Sequence, residues 1–153
     1  GKIGEDGETG RTMLFPRRDG LKPDAIEESV TFKEIKALSE LRAKLPALRG
    51  GKLIPLWVDS GAGGDDDGVF AFARASGDDF VVVVINASDD PRVTGAAGQS
   101  MRLPASLNPA GKTLKPVLTV GMGKTPEGFS VSADGPLRLP VPGSSLVVYH
   151  ADK

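Results

Sequence analysis

Two rhythms of apolar residues divide the chain. Between Thr31 and Pro46 the apolar positions fall at helical spacing: Phe32, Ile35, Leu38, Leu41 and Leu45, with Lys33, Glu34, Lys36 and Glu40 off that face. Thr31 followed by Glu34 has the form of a capping box, in which each side chain satisfies a backbone amide at the helix start. Pro46 marks the stop, because the residue before a proline avoids helical geometry. The pattern predicts one amphipathic helix of about four turns, whose apolar stripe must be covered by something.

From Leu53 onward short apolar runs alternate with turn residues, the rhythm of an all-β sandwich. The predicted strands are Ile54–Val58, Val69–Arg74, Phe80–Asn86, Ser100–Leu103, Thr113–Thr119, Phe129–Val131, Leu137–Leu139 and Ser145–His150. The β-branched run from Val81 to Ile85 is too apolar for an exposed face and predicts a central strand. Phe70 and Phe72 alternate with Ala71 and Ala73, as on a strand with one core face. Asp65-Asp66-Asp67-Gly68 and Gly77-Asp78-Asp79 supply turn chemistry, and the prolines sit mostly between the runs. Residues Gly1 to Asp24 carry neither period and read as a long loop. The expectation is an antiparallel Greek-key β-sandwich over 51–153, preceded by a helical segment over 31–50 and an irregular arm over 1–30.

Composition narrows the function classes. The 153 residues are 39% hydrophobic and 25% charged, an ordinary balance for a single globular domain with an appendage. A net charge of −1 gives no broad basic surface for nucleic acid. No apolar run is long enough to cross a membrane as a helix. The absence of cysteine removes disulfides, thiolate metal sites and cysteine nucleophiles, while leaving the compartment unassigned. The first residue is Gly1 rather than Met, which implies a start that is processed, trimmed or engineered.

Candidate chemistry is sparse. Asp65–Asp67, Asp78–Asp79 and Asp89–Asp90 are carboxylate clusters, but adjacent side chains on an extended chain diverge. A glycosidase pair must instead converge across about 5 to 9 Å. Each cluster lies beside Gly or Pro and reads as a turn; the spaced ligands of a calcium loop are missing from the first. His150, the one histidine, has no second imidazole or thiolate to share a zinc ion and reads as a solvated residue ending the last strand. Asn86-Ala87-Ser88 is formally a glycosylation sequon, yet at the end of the most apolar strand the asparagine is expected to bond neighbouring backbone. Gly121-Met122-Gly123-Lys124-Thr125 echoes a phosphate loop, but Leu118 replaces its first glycine and no helix follows, so a hairpin turn is expected. Trp57 and Tyr149 are the candidates for stacking on a sugar ring, weighed against core packing. No cofactor and no metal site is implied.

A helix carrying Leu41-Arg42 and then Leu45-Pro46-Ala47-Leu48-Arg49-Gly50-Gly51 resembles the last barrel helix of the α-amylase family, glycoside hydrolase family 13, where it leads into a C-terminal β-domain. The next pieces agree in order. Gly68-Val69-Phe70-Ala71-Phe72-Ala73-Arg74 and Val81-Val82-Val83-Val84-Ile85-Asn86-Ala87-Ser88 are similar to two strands of that domain. Leu139-Pro140-Val141-Pro142-Gly143-Ser144-Ser145-Leu146-Val147-Val148-Tyr149 is similar to its closing strand. The resemblance implies a parent that acts on α-glucans by a retaining mechanism with two carboxyl groups. Those groups belong to barrel strands, and none maps onto this sequence. The reading is therefore a non-catalytic C-terminal module whose partner is the parent's (β/α)8 barrel. Two rivals stand beside it: a carbohydrate-binding module for starch or glycogen, and an assembly domain in which a second copy covers the helix.

Overall fold

The computed structural model describes residues 29–58, 68–95, 100–126 and 130–152. The chain divides into two units, Gly1–Lys36 and Ala37–Lys153, and the boundary falls inside the first helix of the described residues. That helix, α1 (Val30–Lys44), is followed by the five-residue α2 (Pro46–Gly50). Among the described residues eight strands follow: β1 (Lys52–Val58), β2 (Val69–Ser76), β3 (Asp79–Asn86), β4 (Arg92–Val93), β5 (Thr113–Gly121), β6 (Val131–Ser132), β7 (Pro140–Val141) and β8 (Ser145–Asp152).

The helix stands where its spacing puts it, but its cap differs from expectation. Ser29, not Thr31, accepts the Phe32 amide, at 3.2 Å, so Thr31 lies within the first turn. Arg42 and Lys44 occupy the last turn, where cations complement the helix dipole. Leu45 is forced extended (φ −102°, ψ 113°) by the following proline, and Pro46 then opens a second helical turn rather than a loop.

Strands β1, β2, β3, β8, β5 and β6 form one antiparallel sheet in that order, with β8 inserted between β3 and β5 in Greek-key fashion. The β2–β3 hairpin closes through Gly77 and Asp78, with Gly77 at φ 62°, a conformation that costs glycine nothing. Strands β4 and β7 pair separately as a two-stranded layer, extended by the Met101–Leu137 bridge. The predicted strands at 100–103 and 137–139 thus reduce to that bridge. Their alternate side chains Met101, Leu103, Leu137 and Leu139 still point inward, while Arg102 and Arg138 face solvent. Of the expected strand at 129–131, Phe129 lies outside the described residues.

The main core lies between the two layers. Ala71, Ala73, Phe80, Val82, Val84, Leu114, Val147 and Tyr149 from the sheet meet Met101, Leu103, Leu107, Leu137, Leu139 and Val141. Here β2 corrects the simplest reading of its alternation. The alanines face this core, fully buried, whereas Phe70 and Phe72 look to the other side of the sheet and are only half-buried. Close packing explains the choice: Phe80, Tyr149, Met101 and the leucines already fill the interlayer volume, leaving room for methyl groups on β2.

Two buried polar groups order this interior: Thr94 braces the β4–β7 layer from within, and Tyr149 ties that layer to β8. Thr94 Oγ1 accepts the Leu139 amide at 2.9 Å and donates to the Leu137 carbonyl. The Tyr149 hydroxyl donates to the Pro140 carbonyl, and burial raises its pKa above the ordinary 10.0. Tyr149 is the only tyrosine, so its titration can be read directly. The folded chain should develop no tyrosinate absorbance as pH passes the ordinary value. An unfolded chain loses its proton there while the folded chain keeps it, so stability present below that pH should fall as pH rises through it. Reversible ionisation at the ordinary tyrosine value without unfolding would contradict this burial.

Candidate docking face

The second face of the six-stranded sheet carries Phe70, Phe72, Val81, Val83, Ile85, Leu118, Leu146 and Val148, fixed by pairing of Phe72 with Val83, Ile85 with Leu146, and Leu118 with Val148. Its centre is closed and its margin is not. Val81, Val83 and Val148 are buried with Ala47 of α2, while Leu41, Leu45, Leu48, Phe72, Ile85, Leu118 and Leu146 pack around them half-exposed. The Phe70 and Phe72 rings lie 5.6 Å apart and tilted, forming one aromatic step at the margin. By itself, α1 buries none of its residues; Val30 is 70% exposed and Ile35 58%.

What holds α2 on this face is a polar clamp built by the β2–β3 hairpin. Asp79, at the start of β3, accepts the Ala47 amide at 2.8 Å with Oδ2, satisfying a donor that the short helix leaves open. Its Oδ1 lies 2.8 Å from His150 Nε2 on β8. A carboxylate only accepts, so Nε2 carries the proton of this bond. At the other end of α2, Arg74 donates to the Gly51 carbonyl at 2.8 Å. An acid at the amino end and a base at the carboxyl end match the polarity of the turn between them.

The clamp accounts for the Pro46-Ala47-Leu48-Arg49-Gly50-Gly51 sequence residue by residue. Proline starts the turn at no hydrogen-bonding cost. Ala47 has no exposed surface and sits over valines, where a larger side chain would lift the helix. Gly51 approaches so closely that a Cβ there would collide with the Ala47 and Ala75 carbonyl oxygens.

The candidates from sequence distribute as follows. Tyr149 is buried and presents no ring face to solvent. Trp57 is half-buried on the edge strand β1 and packs against the main core. His150 is not a solvated strand end; it is a half-buried partner of Asp79, missed because sequence spacing does not place residues 79 and 150 side by side. Asn86 is buried, its amide donating to the Asp90 and Pro142 carbonyls while its oxygen accepts from the Ser88 amide and hydroxyl. It therefore pins the corner after β3 to the turn before β8. Gly121 to Gly123 do not make a tight hairpin; they seat against that turn, the Gly123 amide donating to Ser145 Oγ at 2.9 Å.

Two of the described cluster carboxylates are engaged, Asp79 in the clamp and Asp89 in a turn. Asp89 accepts from the Ser144 hydroxyl. Outside the clusters, hydrogen bonds from the Ser132 hydroxyl and the Gly111 amide hold Asp134 below the usual carboxylate value. Asp65 to Asp67 lie outside the described residues. Among the described residues, no group of three or more His, Asp or Glu side chains could hold a metal ion.

The fold is a β-sandwich-like domain, and it is similar in fold to parts of several enzymes of the α-amylase family. Trehalose-6-phosphate hydrolase from Bacillus licheniformis matches 85% of this chain with a TM-score of 0.56 at 20% identity. The α-amylase from Geobacillus thermoleovorans matches 74% with 0.51 at 21% identity, and trehalulose synthase from Pseudomonas mesoacidophila 86% with 0.53 at 18%. In sequence, 64 residues, 42% of this chain, are 38% identical to cyclomaltodextrin glucanotransferase from Klebsiella oxytoca. No family model matches. The likeness spans 9% of that curated relative and 20%, 21% and 20% of the three solved enzymes.

The clamp is open to a direct test. Asp79→Ala leaves the Ala47 amide without its acceptor and should lower stability by about 1.5–3 kcal/mol. Gly51→Ala should cost about 1–3 kcal/mol through the collision described. Urea unfolding of each variant measures both, and midpoints equal to the parent's would remove the clamp from the account.

Proposed function

We propose that the chain is a non-catalytic module of an α-amylase-like glycoside hydrolase acting on α-glucans, where it lies against a (β/α)8 catalytic barrel and stabilises it. The observation that carries this reading is the unequal covering of the sheet. One face is sealed by the β4–β7 layer, whereas the other is sealed only at its centre and rimmed by half-exposed aromatic and aliphatic side chains. In this reading residues 31–50 correspond to the last barrel helix, residues 1–30 to the loop before it, and residues 51–153 to the C-terminal domain. The span of the likeness, about a fifth of each solved enzyme, supports a part rather than a whole.

A carbohydrate-binding module needs flat aromatics displayed together on a surface. Tyr149 is buried and Trp57 leans on the core, so the aromatic supply favours that reading less.

Two measurements test the proposal. A homogeneous sample of the chain should release no reducing sugar from soluble starch or maltooligosaccharides and should not be retarded on a starch affinity gel. Hydrolysis would overturn the non-catalytic reading; retardation lost in Trp57→Ala would favour the sugar-binding one. Separately, the chain should bind a hydrophobic dye, and a Phe70→Ser, Phe72→Ser double variant should reduce that binding at least twofold while retaining a cooperative thermal transition. Undiminished dye binding in a folded double variant would show that this face is not the exposed apolar surface.

A further inference from the structure

Met101 and Met122 occupy opposite environments. Met101 is 1% exposed in the main core, bridged to Leu137, whereas Met122 is 90% exposed. Met122 belongs to the segment that echoes a phosphate loop in sequence but folds against the β7–β8 turn. Both of its neighbours fix it there. Gly121 holds φ 109°, and a Cβ on it would collide with the Ser144 carbonyl oxygen; a Cβ on Gly123 would strike the Pro142 ring. The Met122 amide donates to the Ser144 carbonyl at 3.4 Å, and the Gly123 amide donates to Ser145 Oγ at 2.9 Å. The backbone is thus drawn tight against the turn while the thioether stands in water.

We propose that Met122 is an oxidation site for peroxides, at which the thioether becomes the sulfoxide without loss of the fold. A sulfur lone pair attacks one oxygen of hydrogen peroxide, an S–O bond forms as the O–O bond breaks, and water leaves. Sulfur is oxidised by two electrons and the peroxide is reduced by two. The step needs contact between oxidant and sulfur, which Met122 offers and which Met101 offers only when the core opens. The oxygen gained at Met122 meets water and disturbs no packing, whereas the same oxygen on Met101 would lie in an apolar interior, where a polar group is costly.

Peptide mass mapping during treatment with hydrogen peroxide compares the two thioethers within one sample. Met122 should gain one oxygen at least about tenfold faster than Met101 in the folded chain, and the ratio should fall to about one in concentrated urea. A Met122→Gln variant, which places a polar side chain at the same point, should keep the thermal midpoint of the parent. Equal rates of oxidation in the folded chain, or a lowered midpoint in Met122→Gln, would overturn the proposal.

Discussion

Strand β3 is the constraint on which the rest of the molecule depends. Phe80 through Val84 are buried without interruption, so this strand presents apolar side chains to both faces of the sheet. Neighbours β2 and β8 satisfy its backbone, but each face still needs its own cover. The β4–β7 layer with its flanking segments covers one; the α2 turn covers the middle of the other. Each fully buried valine or phenylalanine contributes on the order of 1.5–3 kcal/mol, so neither cover can be lost cheaply.

Much of this plan was legible in the sequence because it rests on local periodicity. The β-branched run announced a strand buried on both sides, and the helical stripe up to Leu45 announced α1. Illegible were the features that depend on pairs distant in the chain. Asp79 looked like one more turn aspartate, and only the apposition of β3 with β8 and α2 makes it an acceptor for both His150 and Ala47. The Thr31 cap failed because Ser29 precedes it with equal chemistry, and a single hydroxyl in the right phase ends the competition. The strands at 100–103 and 137–139 were overextended, because inward alternation of Met101, Leu103, Leu137 and Leu139 requires an extended chain but not a continuous ladder.

The candidate site shows the same division. Trp57 and Tyr149 were picked by residue type, and type does not report which side of a strand a ring occupies. Tyr149 sits in register with Val82 and Pro116, and its companions on β8 in phase with it are core residues, so its ring goes inward. The docking face, by contrast, emerges from the alternation of Phe70 and Phe72 with two alanines once the core's volume is known to be filled from the opposite layer.

That alternation argues for the kind of partner the face suits. Selection for stability of an isolated sandwich would place large side chains inward, where full burial gives the greatest return, and polar ones outward. Strand β2 does the reverse: methyl groups face the sealed core and two adjacent aromatic rings face the half-open side. Rings left partly in water forgo stabilisation that a covering surface would supply. The clamp from Asp79 and Arg74 fixes α2 over the centre of the face, so α2 cannot slide outward to shield those rings without breaking both bonds. Under the proposed function, the catalytic barrel would supply that cover, and the aromatic border of the face would lie within its contact.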